Sequence, residues 1–397
     1  MAGALADVRV LDLSQRLAGP FGSMLFADLG ADVIKIEPPT GDLTRFDQPS
    51  YDDELSAYFT NLNRNKRAIA LDLRQPEGLQ VFYDLVRISD VVWDNYRPGV
   101  TERLKIDYDT LKQINPRIIC CSISGFGSSG PYREKPAYDL IGQALGGGMS
   151  LTGEPDGGPL PWAISIGDTA AGMFAAHAAL AALHARTLTG VGQRCEVALL
   201  DGQIALLTHL ATYYFATGSP PPRMGAGISF VMPWGVYPTA DAYIVLCGRG
   251  ENFWAIFCRA CGLEELVDDP RFRTNADRVK NRLDLDRIIS DRLRQKPLAE
   301  WLTLLEGFPC APVYSIDEAL SDPHIVHRGM VVEVDQPTVG PVRVLGNPLK
   351  LFGTPVERYG PAPRLSEHAR EILAELLAYD DARIAEFAAS GAVVVRA

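Results

Sequence analysis

The sequence predicts an α/β fold, with a doubly wound parallel-sheet large domain plus a smaller α+β domain. Three observations carry this. Apolar runs of five to seven residues alternate with helical patterns over the first 125 residues, the mark of strands buried on both faces. At 397 residues the chain exceeds one ordinary core, and its 47% hydrophobic content can fill two. A Pro/Gly-rich stretch near residue 218, "TGSPPPRMGAG", separates regions of different composition. The predicted parts are residues 1–224, the N-terminal part of the large domain, a small domain at 225–330, and residues 331–397.

In order along the chain, "VRVLDLS" reads as a strand and "PFGSMLFADLG" as a helix opened by Pro20 and stopped by Gly30. "DVIKIE" and "AIALDLR" are strands, and "QPEGLQVFYDLVRIS" is a helix with Pro76 in its first turn. "DVVWDN" is a strand, "DYDTLKQIN" a short helix and "RIICCSIS" a strand. Ligands on such sheets bind beyond the carboxyl ends of the strands, which singles out the loops 15–19, 37–41, 95–99 and 125–131. The Ala-rich stretch from Thr169 to Arg186 predicts a helix, closed by Gly190, whose small side chains let a neighbour approach closely. Beyond the linker come strands in "GVYPTADAYIVLCG", helices between Asn252 and Leu305, and a C-terminal helix from Glu367.

Composition excludes several classes. A net charge of −11 with no basic stripe argues against a nucleic-acid surface. No run reaches the ~18 consecutive apolar residues of a membrane span. The N-terminus lacks the basic and apolar regions of a signal peptide, and the seven scattered cysteines read as reduced, buried thiols, so a cytoplasmic protein is expected. Cys258 and Cys261 form C-x-x-C inside an apolar helical pattern with no second pair, which predicts packing and no metal site. "SGFGSSG" places Gly125, Gly127 and Gly130 as G-x-G-x-x-G, but Pro131 follows where a helix must start, so no dinucleotide cofactor is expected. His177 and His184 lie on one helical face without a nucleophile in motif spacing and read as packing or surface histidines.

"PWAISIGDTAAG" holds the most informative carboxylate. Asp168 follows a short apolar run and opens the Ala-rich helix, where an Asp is a preferred N-cap worth ~1 kcal/mol. A helix N-terminus also favours the ionised form, and the small neighbours leave room for a substrate. An accessible, ionised carboxylate can act as a covalent nucleophile, so cap and nucleophile are both open readings.

Many colinear motifs resemble the class III CoA-transferases, the formyl-CoA and carnitine CoA-transferase family, over essentially the whole length. They include "RVLDLSQRLAGP", "LGADVIKIEPPTGDLTR", "NRNKRAIALDLRQPEG", "DNYRPGVTERL", "NPRIICCSISGFGSSGPY", "AYDLIGQA", "GDTAAGM", "LTGVGQRCEVALLD" and "APRLSEHAREIL". The resemblance implies that Asp168 is the catalytic aspartate. It implies CoA contacts at Leu17 and Ala18, at Leu71, Asp72, Leu73 and Arg74, at Asn95, Tyr96, Arg97 and Arg103, and at Tyr138 and Asp139. It further implies an interlocked homodimer, a C-terminal part that returns to the large domain, and no cofactor beyond CoA and acyl-CoA as substrates. Pro38 and Pro136 stand where formyl-CoA transferases carry basic residues, and Arg16, Arg133, Lys135 and the "NRNKR" turn are substitutes for gripping phosphates. The racemases of the same superfamily need a His where this chain has Tyr138, and a phenol of ordinary pKa ~10 is a poor exchangeable base. The expected reaction is therefore CoA transfer between carboxylic acids through an aspartyl-acyl anhydride, with acyl-CoA racemisation as the alternative. Arg223 and Arg249 are candidates for holding a second carboxylate, which points to a dicarboxylate acceptor and succinyl-CoA as donor.

Overall fold

The computed structural model describes residues 2–396. The chain divides into two compact units. One comprises the residues up to Gly146, Ala163–Leu206 and those from Pro323 on; the other comprises Gly147–Trp162 and Leu207–Asp322. Against sequence boundaries at 225 and 330, the second unit thus starts earlier, takes in 147–162, and ends at Asp322.

The first unit alternates strand and helix. Its elements are β1 (Arg9–Asp12), α1 (Ala18–Asp28), β2 (Asp32–Glu37), α2 (Ala57–Asn63), β3 (Arg67–Leu71), α3 (Pro76–Arg87) and β4 (Val91–Asp94). Then come α4 (Val100–Leu104), α5 (Tyr108–Ile114), β5 (Ile119–Ser124), α6 (Asp139–Leu145), α7 (Ile166–Thr189), β6 (Arg194–Ala198) and α8 (Leu199–Leu206). The second unit holds α9 (Thr208–Thr217), α10 (Glu251–Cys261) and a three-stranded sheet of β7 (Trp234–Pro238), β8 (Tyr243–Cys247) and β9 (Cys310–Pro312). Cys258 and Cys261 are buried in its apolar core beside Trp254 and Phe257. Back in the first unit, β10 (Val331–Gln336) and β11 (Gly340–Leu345) form a hairpin, and β12 (Val393–Val394) joins the main sheet.

That sheet runs β12-β3-β2-β1-β4-β5-β6, parallel except for β12, which pairs antiparallel with β3. Strand residues alternate between two cores. Leu11, Ile34, Val92 and Cys120 face α3, α5 and the C-terminal helical segments. Val10, Val33, Trp93 and Cys121 face α1 and α7. Both faces of the strands β1 to β5 are covered, so these read as apolar runs, whereas the edge strand β6 is half exposed. Pro76 starts α3, where its missing N–H has no intrahelical partner to lose. The first helix starts two residues before Pro20, at Ala18. C-terminal to Glu367 the chain makes two short helical pieces, Ala369–Glu371 and Ile372–Leu376, before the longer Asp381–Ala389.

The alanines of α7 do what their size predicts. A Cβ on Gly22 would fall 2.7 Å from the Gly172 carbonyl, and one on Gly172 would fall 2.5 Å from the Ala18 carbonyl. Only glycines allow α1 and α7 to approach this closely. The crossing sets Asp168, one turn before Gly172, beside the loop that precedes α1. By length and composition α7 could cross a membrane, but Ala171, Ala175, Ala176, Ala179 and Ala182 on it are buried in the sheet core.

Candidate active site

β1 and β4 lie side by side, yet the chain leaving β1 runs to the α1 face and the chain leaving β4 runs to the α5 face. Such a switch point opens a crevice beyond the strand ends. Here the Gln15 N–H donates to Asn95 Oδ1 at 2.9 Å, and Asn95 Nδ2 donates to the Gln15 carbonyl at 2.7 Å. These bonds tie the two loops together. A cavity of about 380 Å³ opens there, lined by the loops 15–18, 95–98 and 123–126, by Arg133, Glu134, Lys135, Ala137 and Tyr138, and by Asp168. A second, of about 360 Å³, is lined by Pro38, Thr40, Leu71–Arg74 and Leu104. Gln15 and Tyr96 line both.

The first loop stands on a buried ionic cluster. Asp12, at the end of β1, accepts from Ser14 Oγ at 2.5 Å, Ser23 Oγ at 2.7 Å and Lys66 Nζ at 2.9 Å. Lys66 also donates to the Pro20 carbonyl and to Asn63 Oδ1, while Lys35 donates to the Ser14 carbonyl and to Asp42. Burial alone would raise the Asp12 carboxyl, but Lys66, Lys35 and the two hydroxyls outweigh it and bring it down to about 2. Burial draws Lys66 down to about 8. Arg64 pairs with buried Asp28 at 2.6 Å. The "NRNKR" run is therefore neither a solvated turn nor a phosphate grip: Asn63, Arg64 and Lys66 are consumed inside the fold.

Asp168 is the third residue of α7, and Ser165 precedes the helix without a side-chain cap. The cap is Asp139, whose Oδ1 accepts the backbone N–H of Gly167 at 2.7 Å and of Asp168 at 3.2 Å. Gln143 Nε2 holds the other Asp139 oxygen at 2.7 Å. This corrects the cap reading: Asp139 takes the helix N–H groups, and Asp168 is left facing the cavity. It also corrects the expected electrostatics. Burial, then the like charge of Asp139, push the Asp168 carboxyl up to about 6. Replacing Asp139 with Asn keeps the hydrogen-bonding shape but removes the charge. The acid limb of the pH–rate profile is then expected to move to lower pH, with a small loss of thermal stability; an unmoved limb would separate Asp139 from Asp168 electrostatics.

Leu17, Ala18, Asn95, Tyr96, Arg97 and Tyr138 line the first cavity with Asp168; Leu71, Asp72, Leu73 and Arg74 line the second. Asp139 lines neither and supports α7 from behind. Arg103, on α4, is exposed and lines neither cavity. Arg16, Arg133 and Lys135 do line the first cavity, and Pro38 the second. Arg74 is committed to Asp72 through two bonds, at 2.8 and 2.9 Å. Arg223 and Arg249 belong to the second unit, where Arg223 donates to the Gly157 carbonyl.

Asp94, not singled out from the sequence, closes β4 directly beneath the site. It is fully buried and accepts from Ser122 Oγ at 2.7 Å and the Tyr96 N–H at 3.1 Å, while burial pushes it up to about 6. It fixes the Tyr96 loop as Asp12 fixes the Gln15 loop. The signal lay in the sequence: "VLD" and "VWD" both end an apolar run on an Asp. Among the described residues there is no cluster of His, Cys, Asp and Glu suited to a metal ion.

The family model described as CoA-transferase family III matches residues 5–369. The succinyl-CoA:glutarate CoA-transferase of Mus musculus is 38% identical over 392 residues, spanning 98% of this chain and 90% of that protein. The succinate–glutarate CoA-transferase of Agrobacterium fabrum is 36% identical over 381 residues, spanning 94% and 95%. A solved CAIB/BAIF family protein from Brucella suis superposes with a TM-score of 0.87 at 35% identity, over 95% of this chain and 100% of that one. With the match running from the first strand to the C-terminal segments and the switch-point crevice in place, the chain belongs to CoA-transferase family III.

Proposed function

We propose that this CoA-transferase moves CoA from succinyl-CoA to a small dicarboxylic acid, with Asp168 as the covalent nucleophile. The observation that carries the reading is a cavity-facing carboxylate at the start of α7, Asp168, in the strand-end crevice of a family III CoA-transferase, whereas the other carboxylate lining that cavity, Glu134, lies beside Arg133. The Asp168 carboxylate attacks the thioester carbonyl, the C–S bond breaks, and CoA leaves as thiolate. The thiolate then attacks the Asp168 carbonyl of the mixed anhydride, releasing succinate and leaving an aspartyl-CoA thioester. The incoming carboxylate repeats the sequence in reverse order and departs as the new thioester. Overall one thioester is exchanged for another of similar energy, so no ATP is needed. Backbone N–H groups at Gly125 and Phe126, which line the same cavity, are candidates for stabilising the oxyanion.

A carboxyl raised to about 6 is deprotonated at neutral pH and more nucleophilic than an ordinary aspartate. Its protonation removes the nucleophile, so kcat/KM rises with pH through about 6 and then levels. CoA spans both cavities in this reading, with the thioester in the first and the nucleotide end toward Leu71–Arg74. The dicarboxylate is supported by the mouse and Agrobacterium relatives, named for succinyl or succinate and glutarate. An interlocked homodimer in the cytoplasm completes the proposal, supported by the family resemblance and by seven free thiols.

The test is a panel of mono- and dicarboxylic acids against succinyl-, acetyl- and formyl-CoA, with ¹⁸O in the acceptor carboxylate. Label appearing in released succinate supports the anhydride route. Solvent deuterium entering the α-carbon without any acceptor would instead identify a racemase.

A further inference from the structure

Four cations line the cavity that holds Asp168: Arg16, Arg97, Arg133 and Lys135. Arg133 lies 3.3 Å from Glu134, and the Lys135 ammonium sits over the Tyr132 ring at 3.7 Å. Arg16 makes no hydrogen bond or ion pair to any described residue. It is also in the left-handed region, at φ 66°. For a side chain with a Cβ this costs about 1–2 kcal/mol and persists only where the surroundings impose it. They do so here, since Lys35 grips the Ser14 carbonyl and Asn95 holds both backbone groups of Gln15. A glycine would remove the strain, yet the loop carries an arginine.

Arg16 is also distinguished by its neighbour. Tyr58, on α2, has a hydroxyl pushed up to about 12 by burial and then by the charge of Asp168, and Arg16 opposes that push. Arg16 and Asp168 thus act on one hydroxyl from opposite signs, although the only charge acting strongly on Asp168 itself is Asp139. The Arg16 side chain lines the same cavity as Asp168 and forms no ion pair with it. The carboxyl carbons of a four- or five-carbon diacid are about 4–5 Å apart, enough for one end to reach Asp168 while the other is held separately.

We propose that Arg16 holds the distal carboxylate of the acyl group while the proximal carboxyl reacts at Asp168, making Arg16 the residue that selects dicarboxylates. This rests on Asp168 being the acyl-bearing residue. A guanidinium receives a carboxylate through two parallel N–H bonds. With CoA placed as proposed above, its nucleotide end toward Leu71–Arg74, the phosphates fall on the side of the second cavity, a pantetheine arm away from the thioester.

The experiment compares Arg16→Asn with wild type, because Asn tolerates a left-handed backbone. The ratio of kcat/KM for succinyl-CoA to that for butyryl-CoA is expected to fall about 10- to 100-fold, while the calorimetric Kd for free CoA stays within roughly twofold. Arg16→Lys, which keeps charge but loses the two-pronged fit, falls between. Equal losses for both donors, or a CoA Kd weakened by the same factor, would overturn the assignment and place Arg16 on a phosphate. A wild-type enzyme that does not favour acyl groups bearing a second carboxylate overturns the dicarboxylate reading itself, before any variant is measured.

Discussion

Asp168→Ala is expected to lower CoA transfer by at least about 10⁴-fold, because no other cavity-facing carboxylate sits at the start of α7 to accept the acyl group. The variant keeps its fold, since Asp139 and not Asp168 satisfies the N–H groups of that helix. Asp168→Asn sharpens the point. A carboxyl raised to about 6 in the folded state is held there as an unfavourable charge. Stability is therefore full below the ordinary value of 3.8 and declines as pH rises through 6. The neutral Asn escapes this decline, so it should be more stable at pH 8 by roughly 1–3 kcal/mol, read as a higher unfolding temperature, while inactive. Activity within tenfold of wild type in either variant would end the nucleophile assignment; a less stable Asn variant would contradict the electrostatics.

Asp12→Ala is expected to destabilise the first unit by about 3–5 kcal/mol, the penalty for leaving a buried ammonium without its carboxylate. Lys66 has no exposed surface and no other acidic hydrogen-bond partner. Without Asp12 it titrates below about 8, so the variant should gain stability on raising the pH past neutrality more steeply than wild type. A double variant with Lys66→Met removes both charges and should recover part of the loss. Thermal unfolding at pH 6 and pH 9 measures all three. A single-variant loss below about 1 kcal/mol would show that the loop before α1 does not depend on this cluster.

The strands β1 to β5 were legible because each is an apolar run covered on both faces, with turn residues between them, whereas the half-exposed β6 and the C-terminal β10, β11 and β12 lack such a run and were not predicted. Asp168 was legible through its motif, but its environment was not. An Asp at a helix start looks like a cap whether or not another carboxylate has taken the N–H groups, and Asp139 lies 29 positions earlier. The same holds for "NRNKR". Five polar residues in a row suggest a solvated turn, and only the meeting of Asp12, Asp28 and the chain near Pro20 shows three of them buried. Segment 147–162 offered no compositional mark of the unit it joins, because membership is decided by non-local contacts. What pattern reads well is local or periodic; ion pairs spanning tens of residues leave no period.

The pairing of β12 with β3 has a bearing on how the molecule is made. Val393 meets Leu71, about 320 residues earlier, and Ser366 Oγ, which receives the Ala70 N–H, donates to the Val394 carbonyl. At translation rates of ~5–20 residues per second, β3 emerges roughly 15–65 seconds before its last neighbour exists. For that interval the nascent sheet presents an open edge able to pair with any passing strand. Completion of this sheet thus waits for Val393 and Val394, and a nascent chain in this state is a natural client for chaperones.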